Sequence, residues 1–116
     1  MSVQATTVLA SSARTTSGNS TTVTVPDWSP ADPRSVSVYQ NVTAQSGTTP
    51  TLDMQVQWSP DGTTWYSASD TFTQVAAATG TAVKQFAVKA PYWRLSYTIA
   101  GTTPSYTFDV KAVYQA

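Results

Sequence analysis

The stretch Leu52-Asp53-Met54-Gln55-Val56-Gln57-Trp58-Ser59-Pro60-Asp61-Gly62-Thr63-Thr64-Trp65-Tyr66 decides the fold class. Leu52, Met54, Val56 and Trp58 alternate with polar residues, which is the period of a strand with one face on a core. Pro60 presets φ at the second position of a turn, and Gly62 accepts the left-handed conformation that closes it. The chain must therefore reverse here and return as a hairpin. Pairing Ser59 with Thr63 sets Trp58 opposite Thr64, Gln57 opposite Trp65 and Val56 opposite Tyr66. That register predicts Trp58 and Tyr66 on the core face and Trp65 on the outer face.

The same alternation recurs on both sides of the hairpin. Val36, Val38, Val42 and Ala44 form one run, Trp93, Leu95, Tyr97 and Ile99 a second, and Tyr106, Phe108, Val110, Ala112 and Tyr114 a third. Weaker strand candidates are 3–9, 21–25, 65–68, 72–75 and 82–88. No window repeats its apolar residues at helical spacing, and the abundant Thr and Val suit a half-buried pleated surface. These observations predict an all-β chain, an antiparallel β-sandwich or jelly roll of about eight short strands. A further pattern is an echo: Gly47-Thr48-Thr49-Pro50-Thr51 before one core strand matches Gly101-Thr102-Thr103-Pro104-Ser105 before another. Convergence on one good loop and internal duplication both account for it.

Two segments fall outside the pattern. Residues 10–22 are almost free of apolar groups and read as a linker. Residues 26–33 hold three prolines, which forbid a central strand and indicate a rigid loop. The expected organisation is an N-terminal extended arm and Pro-rich loop over residues 1–34 and a sandwich core over 35–116. Ordering an extended arm costs about 1–2 kcal/mol of backbone entropy per residue. With few apolar groups to offset that, the arm is expected to pair with a partner chain through Val3, Ala5, Thr7 and Leu9.

Composition narrows the chemistry. A chain of 116 residues can bury roughly two-thirds of its unfolded surface without staples. With no Cys and no His, thiol and imidazole nucleophiles, disulfides and the usual zinc sites are excluded. Six Lys and Arg balance six Asp, so no long-range field draws the chain to nucleic acid or an anionic membrane. A carboxylate pair is conceivable from Asp53, Asp61 and Asp70, but Asp61 serves the turn and Asp53 alternates outward. Lys84 and Lys89 read as solvated strand positions that discourage edge aggregation. No cofactor or metal is expected, nor is the chain expected to be an enzyme. The opening residues lack a cationic start and an apolar run of leader type, so synthesis in the cytoplasm without processing is expected.

Four Trp and six Tyr are the remaining resource. Most carry core parity, while Trp28, Tyr39 and Trp65 look outward or loop-borne. Such rings stack on sugar faces or anchor protein interfaces.

The run 52–66, with Tyr92-Trp93-Arg94-Leu95-Ser96-Tyr97-Thr98-Ile99-Ala100-Gly101 and Pro104-Ser105-Tyr106-Thr107-Phe108, resembles small virion proteins of tailed bacteriophages, of the head decoration, cement and minor structural type. The likeness covers about residues 35–115. It implies a β-sandwich or jelly-roll module on the capsid exterior, a homotrimer that clamps neighbouring major capsid proteins. The alternative is a carbohydrate- or receptor-binding module of a tail or fibre.

Overall fold

The computed structural model describes residues 6–26 and 34–115. The described residues are all-β: β1 (Thr6–Arg14), β2 (Gly18–Asn19), β3 (Val23–Thr24), β4 (Ser35–Ser59), β5 (Tyr66–Thr71), β6 (Gly80–Ala87) and β7 (Tyr92–Gln115). They form one antiparallel sheet in the order β1-β7-β4-β5, with β2 and β3 on β7 and β6 on β4. The runs expected as separate strands are joined, because β4 and β7 are 25 and 24 residues long and pair along their whole lengths.

Neither long strand is straight. Gln40 and Met54 lie 14 residues apart on β4, a span of about 46 Å if extended at 3.3 Å per residue. Their side chains nevertheless meet, with Gln40 Nε2 donating to Met54 Sδ at 3.1 Å. On β7, Trp93 Nε1 donates to Tyr114 Oη at 2.9 Å, and the Tyr97 and Phe108 rings lie edge to face at 5.3 Å. Both strands therefore fold back on themselves, and the single sheet closes into a two-layer sandwich. The first layer holds β1, the C-terminal half of β7, the N-terminal half of β4, and β6. The second holds β2, β3, the other halves of β7 and β4, and β5.

The fold lies at the two Gly-Thr-Thr-Pro motifs. They are not hairpin loops: Thr48 pairs with Thr102, so the two corners face each other across one ladder. Gly47 and Gly101 adopt φ of 116° and 120°, and Thr49 and Thr103 both adopt 46°. This matched geometry makes the echo a local pseudo-two-fold axis through the Thr48–Thr102 pair. The corners also touch. A Cβ on Gly47 would stand 2.8 Å from the Thr103 carbonyl oxygen, and one on Gly101 would stand 2.9 Å from both Pro50 Cα and the Thr49 oxygen. Glycine is required at both positions for its conformation and for its lack of bulk.

Between the layers the alternating residues meet as expected. Val36, Val38, Val42, Leu52, Met54, Val56, Trp58, Trp93, Leu95, Tyr106, Phe108, Val110 and Ala112 are all buried. Tyr97, Ile99 and Tyr114 are half-buried and pack against this core, and Ala44 is the one member of the strong runs that is exposed. A register shift between Val42 and Ala44 leaves it exposed, because one extra residue in a ladder exchanges the faces beyond it. The hairpin also departs from its expected register. Its first rungs are Trp58 with Tyr66 and Gln57 with Ser67, two residues further along β5. The slide keeps Tyr66 on the face of Trp58 but carries it to the open end of the sandwich, where it is 58% exposed.

The physical reason is the loop's own capping. Ser59 Oγ accepts from the amides of Asp61 and Gly62, and Asp61 Oδ1 accepts from those of Thr63 and Thr64. Side chains thus satisfy the backbone that a tighter hairpin would have paired.

The N-terminal segment is also corrected. Thr6–Arg14 pairs with β7 of its own chain, from Thr6 opposite Ala112 to Arg14 opposite Tyr106. The supposed linker joins the sheet through serine: Ser20 Oγ accepts from the Leu95 amide, Ser20 N donates to the Leu95 carbonyl, and Ser17 Oγ accepts from the Ile99 amide. An edge within the same chain is reached without the translational and rotational cost of binding a partner. Residues 6–24 therefore belong with the sandwich rather than to a detached arm.

Replacing Gly47 or Gly101 by Ala is expected to cost about 1–3 kcal/mol each, from strain and close approach together. Because each corner abuts the other, the double variant should depart from additivity. Denaturant unfolding of both single variants and the double variant checks this.

Candidate functional site

The described apolar side chains pack into one core between the layers, and the groups open to a partner lie on the surface. The outer face of the first layer carries Ser37, Tyr39 and Asn41 on β4, their partners Gln85, Val83 and Thr81 on β6, and Val113, Lys111 and Asp109 on β7. Residues directly opposite in an antiparallel pair project to the same side, so Lys111, Tyr39 and Val83 form one row across three strands. Tyr39 is 43% exposed and Val83 is 55% exposed. They are two of the three large hydrophobic residues exposed among the described residues, and the ladder sets them side by side. Val113 borders the pair, and together they line a shallow depression of about 560 Å³.

Apart from Val113, the rows on either side of Lys111, Tyr39 and Val83 are polar and hydrogen-bonded. Asn41 Nδ2 donates to Asp109 Oδ1 at 3.1 Å. At the other end Gln115 Oε1 accepts from Ser37 Oγ and Gln85 Nε2, and Gln85 also donates to Ser35. Side-chain hydrogen bonds therefore flank the strip at both ends. It can offer apolar area, a phenol and one ammonium group to a flat partner.

Of the residues expected at an interface, Tyr39 lies in this strip. Thr7 pairs with Lys111 and is exposed at its far edge. Leu9 is half-buried and packs against the core. Val3, Ala5 and Trp28 lie outside the described residues. Trp65 sits apart, on the outer side of the second layer, where the Arg94 guanidinium stacks over its ring at 4.5 Å. Arg94 Nε donates to Gln57 Oε1 at 2.8 Å, which fixes the cation above the indole. Trp65 thus faces outward as expected, but from the loop rather than from a rung opposite Gln57.

Val83 and Val113 were not singled out from the sequence. The available signal was parity: Phe86 marks the core face of β6, so Val83 must point out.

The three carboxylates considered for chemistry are tied to separate local partners. Asp53 accepts from Gln74, and Asp61 caps its loop. Asp70 accepts from Trp58 Nε1 at 2.6 Å and pairs with Lys89 at 2.8 Å. Lys84 Nζ donates to the Thr71 carbonyl. No group of three or more potential metal-ligating residues occurs among the described residues, and none of them forms a helix long and apolar enough to cross a membrane. No protein-family model, curated protein or solved structure matches the chain.

The backbone amides of Thr63 and Thr64, with the Ser59 hydroxyl, hold the Asp61 carboxyl far below the usual carboxylate range. A group whose folded pKa is depressed contributes stability above its ordinary value and loses it only as pH falls through the folded one. The Thr63 and Thr64 amide resonances should therefore stay unchanged down to about pH 3, below the ordinary aspartate value of about 3.9. An NMR pH titration reads this directly, and Asp61→Ala should shift both resonances at every pH.

Proposed function

We propose that the chain is a structural protein of a tailed-bacteriophage virion, of the capsid decoration type, which docks on the capsid exterior and contacts major capsid protein and copies of itself. The observation that carries this reading is the Tyr39–Val83–Val113 strip. An aromatic and two aliphatic residues are presented on a sheet face whose one lysine and one aspartate balance, which suits broad docking onto a protein surface. The sequence likeness supports the same reading, and the scarcity of charge fits attachment by apolar burial. A second reading, a carbohydrate- or receptor-binding module of a tail or fibre, is favoured by one feature: the Trp65 ring held beneath Arg94 beside the Gln57 amide.

Quantitative mass spectrometry of purified particles separates the two. A decoration protein should be present in hundreds of copies, close to the major capsid protein, and a fibre module in a few tens. Detection in neither amount would overturn both. On decorated particles, raising salt from low to near-molar should release little protein, because apolar burial is not screened. Tyr39→Ser should lower occupancy while leaving the fold unchanged by circular dichroism. Release of most of the protein by salt alone would assign attachment to ion pairs instead.

A further inference from the structure

Among the described residues, three strands longer than two residues have one side unpaired: β1, β5 and β6. Such edges are templates for other strands unless something blunts them, and bulges are a common device. β1 has register shifts between Thr7 and Leu9 and between Leu9 and Ser12, and β5 has one opposite Gln55–Gln57. β6 has none. Its eight residues pair with β4 in unbroken register from Gly80 opposite Val42 to Ala87 opposite Ser35. It contains no proline and one charge, and every residue except Phe86 is exposed. Lys84, the residue expected to protect this edge, bends away to the Thr71 carbonyl of the other layer.

We propose that β6 pairs antiparallel with β6 of a second copy, about a two-fold axis at Val83. The register follows from geometry. Opposed residues must lie on the same face, so the axis must pass through a residue rather than between two. Only axes at Val83 or Lys84 retain seven of the eight residues in the overlap. An axis at Lys84 sets two ammonium groups against each other, which is unfavourable. An axis at Val83 sets Val83 against its counterpart and Thr81 against Gln85, and puts Lys84 opposite Ala82. The central row then reads Lys111, Tyr39, Val83, Val83, Tyr39, Lys111 across six strands. Its middle is apolar and its cations stand at the two far ends.

This pairing deepens the assembly reading by naming one contact between copies, yet it is tested on the isolated protein without particles. The chain mass is 12.4 kDa, and light scattering behind size exclusion should give twice that value. Val83→Lys places two cations on the axis and should weaken the dimer by about tenfold or more. Because the sequence has no cysteine, Val83→Cys introduces a single thiol. It should yield a disulfide-linked dimer under mild oxidation, whereas Gln85→Cys alone should not. A monomer at millimolar concentration, a mass of three copies, or a dimer indifferent to Val83→Lys would overturn the proposal. Absence of the unmodified protein from purified particles, with the dimer intact, would count against the virion reading alone.

Discussion

The fold depends on the contact between two glycine corners. β4 and β7 run side by side for their whole lengths, and a ladder that long can bury one face only if it folds over. It folds where Gly47 lies against Thr103 and Pro104 and Gly101 lies against Pro50 and Thr49. Neither strand could bend alone without stretching the hydrogen bonds to the other. Matched corners let both turn together, and the near-identical φ values at Gly47 and Gly101 and at Thr49 and Thr103 are the local sign of that coupling. Pro50 is buried completely, so the corner forms part of the core as well as its hinge.

Everything that holds the layers together follows from this bend. Gln40 meets Met54, Trp93 meets Tyr114, and Tyr97 meets Phe108 because strands that would have carried them far apart double back. Phe72 and Phe86 stack at 5.9 Å near the connection between β5 and β6. The Tyr106 hydroxyl donates to the Val75 and Ala76 carbonyls, and burial pushes its pKa up, so it stays protonated as a donor. The polar groups of these large rings reach partners at the rim, which allows aromatic bulk in a small core without an unsatisfied atom.

Alternation made the all-β class and most of the core readable from the sequence, since parity depends only on the two-residue period of the strand. Trp58, Val56, Met54 and Leu52 faced inward as that period required. Distance along the chain was harder. The echo of Gly-Thr-Thr-Pro marked both corners, but nothing in a linear string reveals that the two motifs lie opposite each other. Low complexity over residues 10–22 concealed sheet structure because serine hydroxyls, rather than apolar side chains, make the connection at Ser17 and Ser20. Tyr39 could be flagged because it broke parity among Val36, Val38 and Val42. Val83 was harder to flag, because Phe86 is the single marker of the buried face on its strand and parity had to be counted from that one residue.

A polar outer face is the default for a sandwich, so the departures from it are informative. On the second layer the departure is Trp65, and Arg94 covers one side of the ring. On the first layer Tyr39 and Val83 are exposed among the described residues, beside the β6 edge, whose pairing with β4 no bulge interrupts. Edge pairing consumes backbone groups and leaves the sheet face free, so the two surfaces do not compete. Joined at β6, two copies would present the strip twice in one plane, and a doubled apolar plateau can span a seam between two underlying subunits where a single copy would rest on one. Bridging would then require no charge and no catalytic group, only an edge that pairs and a face that packs, which is consistent with a sequence so poor in ionisable residues.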